Sequence, residues 1–137
     1  MTAFVLDCSM TVAWAFPEEH TPHTLAVLDL LREGSAFAPA LWPLEVANVL
    51  VVSERRGRLT EARSRHFIDM LEGLPVSVEE AVPARAWEDC LPLARRVGLT
   101  VYDAAYLDLA MRLGLPLATL DKRLQEAAAK VGVRLVA

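Results

Sequence analysis

Short apolar runs alternate with longer segments of helical periodicity along the whole chain. The apolar runs have the form expected of strands buried on both faces of a sheet, and they lie at residues 3–6, 36–38, 76–78, 115–119 and 133–136. Helical segments lie at residues 10–16, 25–32, 43–56, 83–97 and 121–131, with two more capped by Thr60 and Thr100. Strands that alternate with helices in this way predict βαβ units, a parallel sheet and an α/β fold.

Four acidic residues lie at the joints between these predicted strands and helices. Asp7 and Asp121 come just after strands, and Glu45 and Asp103 lie in the first turns of helices. Each of them, taken singly, is explained as a turn, a cap or a helix-dipole residue. Taken together they belong at one edge of the sheet, because the carboxyl ends of parallel strands lie on the same side.

Carboxylates gathered at such an edge repel one another and are stabilised by a cation. Apolar residues surround Glu45 in LWPLEVANVL, and Asp7 follows a strand of the buried type. Mg²⁺ and Mn²⁺ prefer carboxylate oxygens, and Mg²⁺ also remains open to phosphate oxygens. We therefore predict a metal site that activates a water for attack on a phosphodiester.

Three polar side chains lie where they could orient these carboxylates. The hydroxyl residues Ser9 and Thr119 are each two positions from an acid. Asn48 follows Glu45 by three positions and shares its helix face. We expect all three to support the metal site.

Length, charge and cysteine content narrow the class of protein. The 137 residues are 54% apolar, so we expect one folded domain spanning 1–137. The net charge of −4 argues mildly against a protein that binds nucleic acid. It comes from 14 basic and 18 acidic residues, so if the four acids bind metal, the remaining basic and acidic residues are equal in number. Cys8 and Cys90 are too few for a disulfide framework. Since the chain also shows no leader and no apolar run that would cross a bilayer, we expect a cytoplasmic protein with no membrane association.

Four motifs carry the four acids, and they occur in the order FVLDCS, PALWPLEVANVL, LTVYDAAYLDLA and LATLDKRL. In this order, and over a chain of this length, they resemble the PIN-domain ribonucleases, most closely the VapC-type toxins of bacterial and archaeal toxin–antitoxin pairs. The resemblance covers nearly the whole chain, and LTVYDAAYLDLA is its strongest segment. It implies a three-layer α/β/α sandwich around a mainly parallel, roughly five-stranded sheet.

The same resemblance implies an activity and a set of partners. The activity is Mg²⁺- or Mn²⁺-dependent endonucleolytic cleavage of RNA. By matching position, the catalytic and metal-binding residues are Asp7, Glu45, Asp103 and Asp121, with Ser9, Asn48 and Thr119 in support. The partners are the RNA substrate, a cognate antitoxin that blocks the site, and a second copy of the chain in a homodimer.

Two other functions stay open at this point. A PIN-like fold that has lost catalysis would be a binding module, although retention of all four acids argues against it. The DCSMT segment faintly resembles the aspartate-nucleophile phosphatases, but Ser9 stands where their second acid belongs. Cys8 has no neighbouring base, so a thiol nucleophile is rejected.

The remaining expectations concern single side chains. Asp108 departs from the family pattern, and we interpret it as solvated or at an interface. Apolar neighbours place the tryptophans in the core rather than against bases: Trp14, Trp42 and Trp87. An apolar groove for a partner is predicted near the N-terminal helices, with four side chains available: Trp14, Phe16, Leu28 and Leu31.

Overall fold

The sheet at the centre of the protein has four parallel strands. The computed structural model describes residues 2–137, and its strands are β1 (Ala3–Leu6), β2 (Ser35–Ala38), β3 (Val76–Val78) and β4 (Leu117–Ala118). Their order across the sheet is β3-β2-β1-β4, and each neighbouring pair is parallel. β1 is therefore central, and its Val5 pairs with both Phe37 and Leu117.

Helices flank the sheet and complete the three-layer α/β/α sandwich. They are α1 (Cys8–Ala13), α2 (Pro22–Leu30), α3 (Trp42–Arg55), α4 (Glu61–Glu72), α5 (Pro83–Arg85), α6 (Leu91–Val97), α7 (Val101–Leu113) and α8 (Lys122–Lys130). A 3₁₀ turn lies at Pro17–Glu19, and a π turn at Ala86–Cys90 joins α5 to α6. Within residues 2–137, every helix is too short or too polar to cross a bilayer.

The core lies where β1 and α7 meet. Phe4, Val5 and Leu6 of β1 are fully buried, and so are Tyr106 and Leu107 of α7. The same helix also contacts β4 and α8. Full burial of a large apolar side chain contributes about 1.5–3 kcal/mol, so β1 and α7 are firmly held. One of the four acids follows β1 directly, and another lies in the first turn of α7.

The threonine caps predicted from the sequence begin two of the helices. The Thr60 hydroxyl accepts a hydrogen bond from the Arg63 amide, and the Thr100 hydroxyl accepts one from the Asp103 amide, both at 3.1 Å. Each cap satisfies an amide that a helix start leaves without a partner. At its other end α7 stops at Gly114, whose φ of 66° is the left-handed conformation that glycine adopts without strain. Local chemistry thus sets both ends of α7.

The sheet has one strand fewer than the sequence predicts. The segment at 133–136 forms a single β-bridge, between Leu135 and Leu117. β4 spans only two residues, because Pro116 before it has no amide hydrogen and Thr119 after it turns toward Asp7. So short a strand gives the C-terminal segment only one residue to pair with.

The helical segment predicted at 83–97 is interrupted by the π turn. Within this turn the Leu91 amide donates to the Ala86 carbonyl, five residues earlier. Pro92 has no amide hydrogen for the Glu88 carbonyl, so the regular α-helical ladder fails at this point.

Candidate functional site

Asp7 lies at the carboxyl end of the central strand, where it is the N-cap of α1. The pattern predicts the first helix from residue 10, but α1 begins at Cys8, because Asp7 has the extended backbone of an N-cap (φ −84°, ψ 154°). Asp7 is only 4% exposed. The hydroxyls of Ser9 and Thr119 both donate to its Oδ2 atom, each at 2.6 Å. The carboxylate is therefore buried and held in one orientation.

The two hydroxyls also connect the end of β1 to the end of β4. Their oxygen atoms lie 3.2 Å apart. Ser9 Oγ accepts from the Leu120 amide at 2.9 Å, and Thr119 Oγ1 accepts from the Asp121 amide at 3.1 Å. Each hydroxyl thus donates to Asp7 while it accepts from the segment that leads to Asp121. This network fixes the two aspartates relative to each other.

Asp121 is the N-cap of α8, so its explanation as a capping residue is confirmed. Its Oδ1 atom accepts from the Arg123 amide at 2.9 Å and, more weakly, from the Leu124 amide at 3.4 Å. The partial positive charge of a helix N-terminus favours a carboxylate at this position. Gln125 donates to the Thr119 carbonyl at 3.0 Å and holds the turn from the helix side.

Glu45 and Asp103 lie in the first turns of α3 and α7, and both are half-buried. Glu45 Oε1 accepts a hydrogen bond of 2.6 Å from the hydroxyl of Tyr106. Tyr106 follows Asp103 by three residues, so the two side chains lie on the same face of α7. One face of this helix therefore carries an acid of the group and contacts a second one.

Asp103 lies within electrostatic reach of the other three carboxylates, and Asp7 also acts on Glu45. Burial raises the pKa of Asp7, and its hydrogen bonds with Ser9 and Thr119 oppose that rise. Burial is also the largest cause that raises the pKa of Glu45, and the charges of Asp7 and Asp103 add to it. For Asp103, burial again raises the pKa most, followed by the charges of Asp7 and Asp121. The structure brings together the four acids that the sequence singles out.

Within residues 2–137 no basic side chain forms an ion pair with any of the four acids. Carboxylates that raise one another's pKa are stabilised by a divalent cation, which prefers oxygen ligands. In the same part of the chain, no three acidic, histidine or cysteine side chains already enclose a position for an ion. The donors of the acidic group are carboxylates, which are the ligands that a hard cation such as Mg²⁺ prefers.

Comparison with family models matches residues 4–130 to the PIN domain. The chain belongs to the PIN-domain family. A relative from Pyrobaculum aerophilum named Ribonuclease VapC3 is 34% identical over 122 residues, which cover 89% of this chain and 92% of the relative. The crystal structure of PAE2754 from the same organism is 26% identical, with a TM-score of 0.71 over 92% of this chain and 84% of that one. VapBC2 from Rickettsia felis, solved with a DNA fragment from its promoter, shares the fold at a TM-score of 0.68, with 11% identity over 98% of each chain.

Two further residues of this PIN domain lie close to acids of the group. Asn48 is exposed one turn beyond Glu45 on α3, and its supporting role stays a prediction. The Cys8 thiol adjoins Asp7, and burial, followed by the charges of Glu45 and Asp7, raises its pKa to about 12. Since the thiolate is the reactive form, the raised pKa argues against this cysteine as a nucleophile.

Asp108 is not solvated, so that part of its sequence interpretation is wrong, whereas a place at an interface stays a prediction. It is 8% exposed, and its Oδ2 atom accepts a hydrogen bond of 2.8 Å from Arg112 Nε. The same guanidinium donates to Glu79 at 2.9 Å, and Arg85 lies 3.6 Å from Glu79. Asp108 is neutralised within the chain because an arginine lies one helical turn away, at a spacing that brings side chains together.

The predictions for the apolar side chains are partly wrong. Trp14 and Trp42 are in the core, at 6% and 7% exposure, but Trp87 is 69% exposed. Trp87 lies in the π turn, where its immediate neighbours are exposed as well. The four side chains named for a partner groove are buried or half-buried: Trp14, Phe16, Leu28 and Leu31. Leu28 and Leu31 nevertheless line a surface pocket on α2, so a partner groove there stays a prediction.

Sequence reasoning missed Tyr106 as the partner of Glu45. The available signal was its position in LTVYDAAYLDLA, one helical turn after Asp103 on the same face. That spacing indicates the direction of the side chain, but it does not identify a partner on another helix.

Proposed function

We propose that this PIN domain is a Mg²⁺- or Mn²⁺-dependent endoribonuclease and the toxin of a type II toxin–antitoxin pair. The observation that carries the proposal is a group of four carboxylates at the ends of β1 and β4 and the starts of α3 and α7, none of them in an ion pair within residues 2–137. The relative named Ribonuclease VapC3, at 34% identity over 89% of this chain, supports RNA as the substrate class. Cys8 and Cys90 are free, in keeping with the reducing cytoplasm in which we place the reaction.

The proposed ligands of the cation are Asp7, Glu45, Asp103 and Asp121. When bound, a divalent cation supplies Lewis acidity, which lowers the pKa of water and stabilises negative charge on phosphate oxygens. Asp7 contributes a carboxylate whose orientation is set in advance by its two hydroxyl partners. Glu45 and Asp103 are half-buried, so they border the solvent from which an RNA phosphate approaches.

We further propose a cognate antitoxin and a homodimer as the protein partners. Three large side chains support this, because Leu44 is 76% exposed, Trp87 69% and Tyr102 66%. Large exposed apolar side chains of this kind favour burial against another protein. Leu44 adjoins Glu45 and Tyr102 adjoins Asp103 in sequence. A partner that covers the two would also cover the acidic group, as an antitoxin is required to do.

The proposal is tested by incubating purified protein with total RNA and with structured RNA in Mg²⁺, in Mn²⁺ and in EDTA. The Asp103→Asn variant removes one acid of the group. Asp69→Asn is its matched control, because Asp69 is an exposed helical aspartate on α4. We expect metal-dependent fragments from the wild type and from Asp69→Asn, and none from Asp103→Asn or in EDTA.

Three results would contradict the proposal. Cleavage by Asp103→Asn at the wild-type rate would remove the acidic group as the site. A protein that cleaves no RNA and binds no Mn²⁺ in a titration would be a binding module. Trapping of an aspartyl-phosphate mimic by beryllium fluoride at Asp7, without RNA cleavage, would indicate a phosphatase.

A further inference from the structure

In the described part of the chain, the Glu45 carboxylate is anchored by a single side-chain contact. Within residues 2–137 its carboxylate has one hydrogen-bonding partner, the hydroxyl of Tyr106 at 2.6 Å. Asp7, by comparison, accepts from two hydroxyls, both at 2.6 Å. Glutamate also has one more rotatable bond than aspartate, so a free Glu45 carboxylate would occupy more positions. Its placement therefore depends on a single contact.

Tyr106 is itself held rigidly. It is fully buried, and it lies on α7, which packs against the central strand β1. The ring fills the core, and its hydroxyl extends to the half-buried Glu45 at the edge of that core. A buried tyrosine hydroxyl requires a polar partner, and here the partner is an acid of the site rather than a backbone carbonyl. The same helix also carries Asp103, three residues earlier.

We propose that Tyr106 is a positioning residue that fixes the Glu45 carboxylate for binding of the divalent cation. This inference rests on the proposed function. The hydroxyl occupies Oε1 and leaves Oε2 available as a ligand. Tyr106 acts through Glu45, as outer residues commonly do when they orient a ligand of a metal.

The test compares two tyrosines on the same helix. Tyr106→Phe removes only the buried hydroxyl and keeps the ring. Tyr102→Phe makes the same chemical change at a position that is 66% exposed. We expect the dissociation constant for Mn²⁺, measured by isothermal titration calorimetry, to rise about 10- to 100-fold in Tyr106→Phe and to stay unchanged in Tyr102→Phe. Saturating Mn²⁺ should restore most of the RNA cleavage rate of Tyr106→Phe.

A double-mutant cycle separates positioning from packing. If Tyr106 acts through Glu45, then Tyr106→Phe causes no further loss of Mn²⁺ affinity in a Glu45→Gln background. If the hydroxyl stabilises the core generally, the two losses add. Glu45→Asp is a second variant that breaks the contact, because it keeps the charge, withdraws the carboxylate from Tyr106 and leaves the core untouched. We expect it to lose Mn²⁺ affinity to a similar degree as Tyr106→Phe.

The outcomes distinguish this inference from the proposed function. Wild-type Mn²⁺ affinity in Tyr106→Phe would overturn the role of Tyr106, while metal binding and RNA cleavage by the wild type would still support the ribonuclease. Additive losses in the cycle would also overturn it. Absence of Mn²⁺ binding by the wild type would overturn both. If Tyr106→Phe fails to fold, unchanged Mn²⁺ affinity in Glu45→Asp overturns the positioning role.

Discussion

Asp103 and Asp108 lie five residues apart on α7, yet their electrostatic surroundings are opposite. Asp103 lies near the charges of Asp7 and Asp121, which raise its pKa after burial has done so. Asp108 is bound by Arg112 at 2.8 Å, and the same arginine binds Glu79 at 2.9 Å. Five residues correspond to a rotation of about 140° around a helix, so the two aspartates serve different sides of α7.

The difference shows which acids the chain neutralises by itself. A buried carboxylate with an arginine partner is stable without help from outside, and the pair ties α7 to the segment that carries Glu79. A group of carboxylates without such a partner lowers stability until a cation binds. We therefore expect substitutions around Asp108 to affect stability and substitutions around Asp103 to affect activity.

The largest expected effect comes from Asp7→Asn, which removes a charge from the acidic group. We expect RNA cleavage at saturating Mn²⁺ to fall by about 1000-fold or more, corresponding to about 4 kcal/mol of barrier. The melting temperature in EDTA should not fall, because asparagine still accepts hydrogen bonds from Ser9 and Thr119 and carries no repelling charge. Rates of cleavage and thermal unfolding, measured on one preparation, test both parts. A large drop in melting temperature would mean that Asp7 is chiefly structural.

Binding of Mn²⁺ should stabilise the fold through the acidic group. At a free Mn²⁺ concentration of 100 times the dissociation constant, linkage predicts a gain of about 2.7 kcal/mol in the free energy of unfolding. Urea denaturation with and without Mn²⁺ measures this gain. It should disappear in Asp103→Asn and persist in Asp108→Asn. Equal stabilisation of both variants would place the ion elsewhere.

Asp108→Asn is expected to lower stability and leave cleavage unchanged, which is the opposite of the effects expected for Asp7→Asn. It leaves the partly buried Arg112 with a neutral neighbour, and we expect a loss of about 1–3 kcal/mol in the free energy of unfolding. Cleavage per folded molecule should stay at the wild-type rate, because Asp108 faces away from the acidic group. Urea denaturation and cleavage assays on folded protein provide the two measurements. A variant that loses cleavage without losing stability would assign Asp108 to the active site and remove the contrast between the two sides of α7.

The smallest expected effect is a pH dependence of stability in EDTA. Because the pKa of Asp103 lies above its ordinary value of 3.8, the native state binds more protons than the unfolded state between the two pKa values. Its contribution to stability is therefore present below pH 3.8 and is lost as the pH rises through the native pKa. Urea denaturation across this range should show Asp103→Asn becoming more stable relative to the wild type as the pH rises. A constant difference would contradict the raised pKa.

The sequence alone determined the features that depend on neighbouring residues. The sequence predicts Thr60 and Thr100 as caps, because a cap contacts an amide only a few residues away. It places Asp7 and Asp103 at one edge of the sheet, because strands that alternate with helices run parallel and end on the same side. Their mutual approach in the structure follows from that rule.

The tertiary structure decided what depends on residues far apart in the chain. Tyr106 meets Glu45 across 61 positions, and Arg112 meets Glu79 across 33. Neither contact leaves a local pattern, since helical spacing gives the direction of a side chain but not the element that it faces. The exposure of Trp87 has the same origin, because apolar neighbours in sequence do not determine which surface a π turn presents. The positions of the acids at the joints of strands and helices therefore follow from the sequence, whereas the side chains that anchor or neutralise them are set by the packing of helices on the sheet.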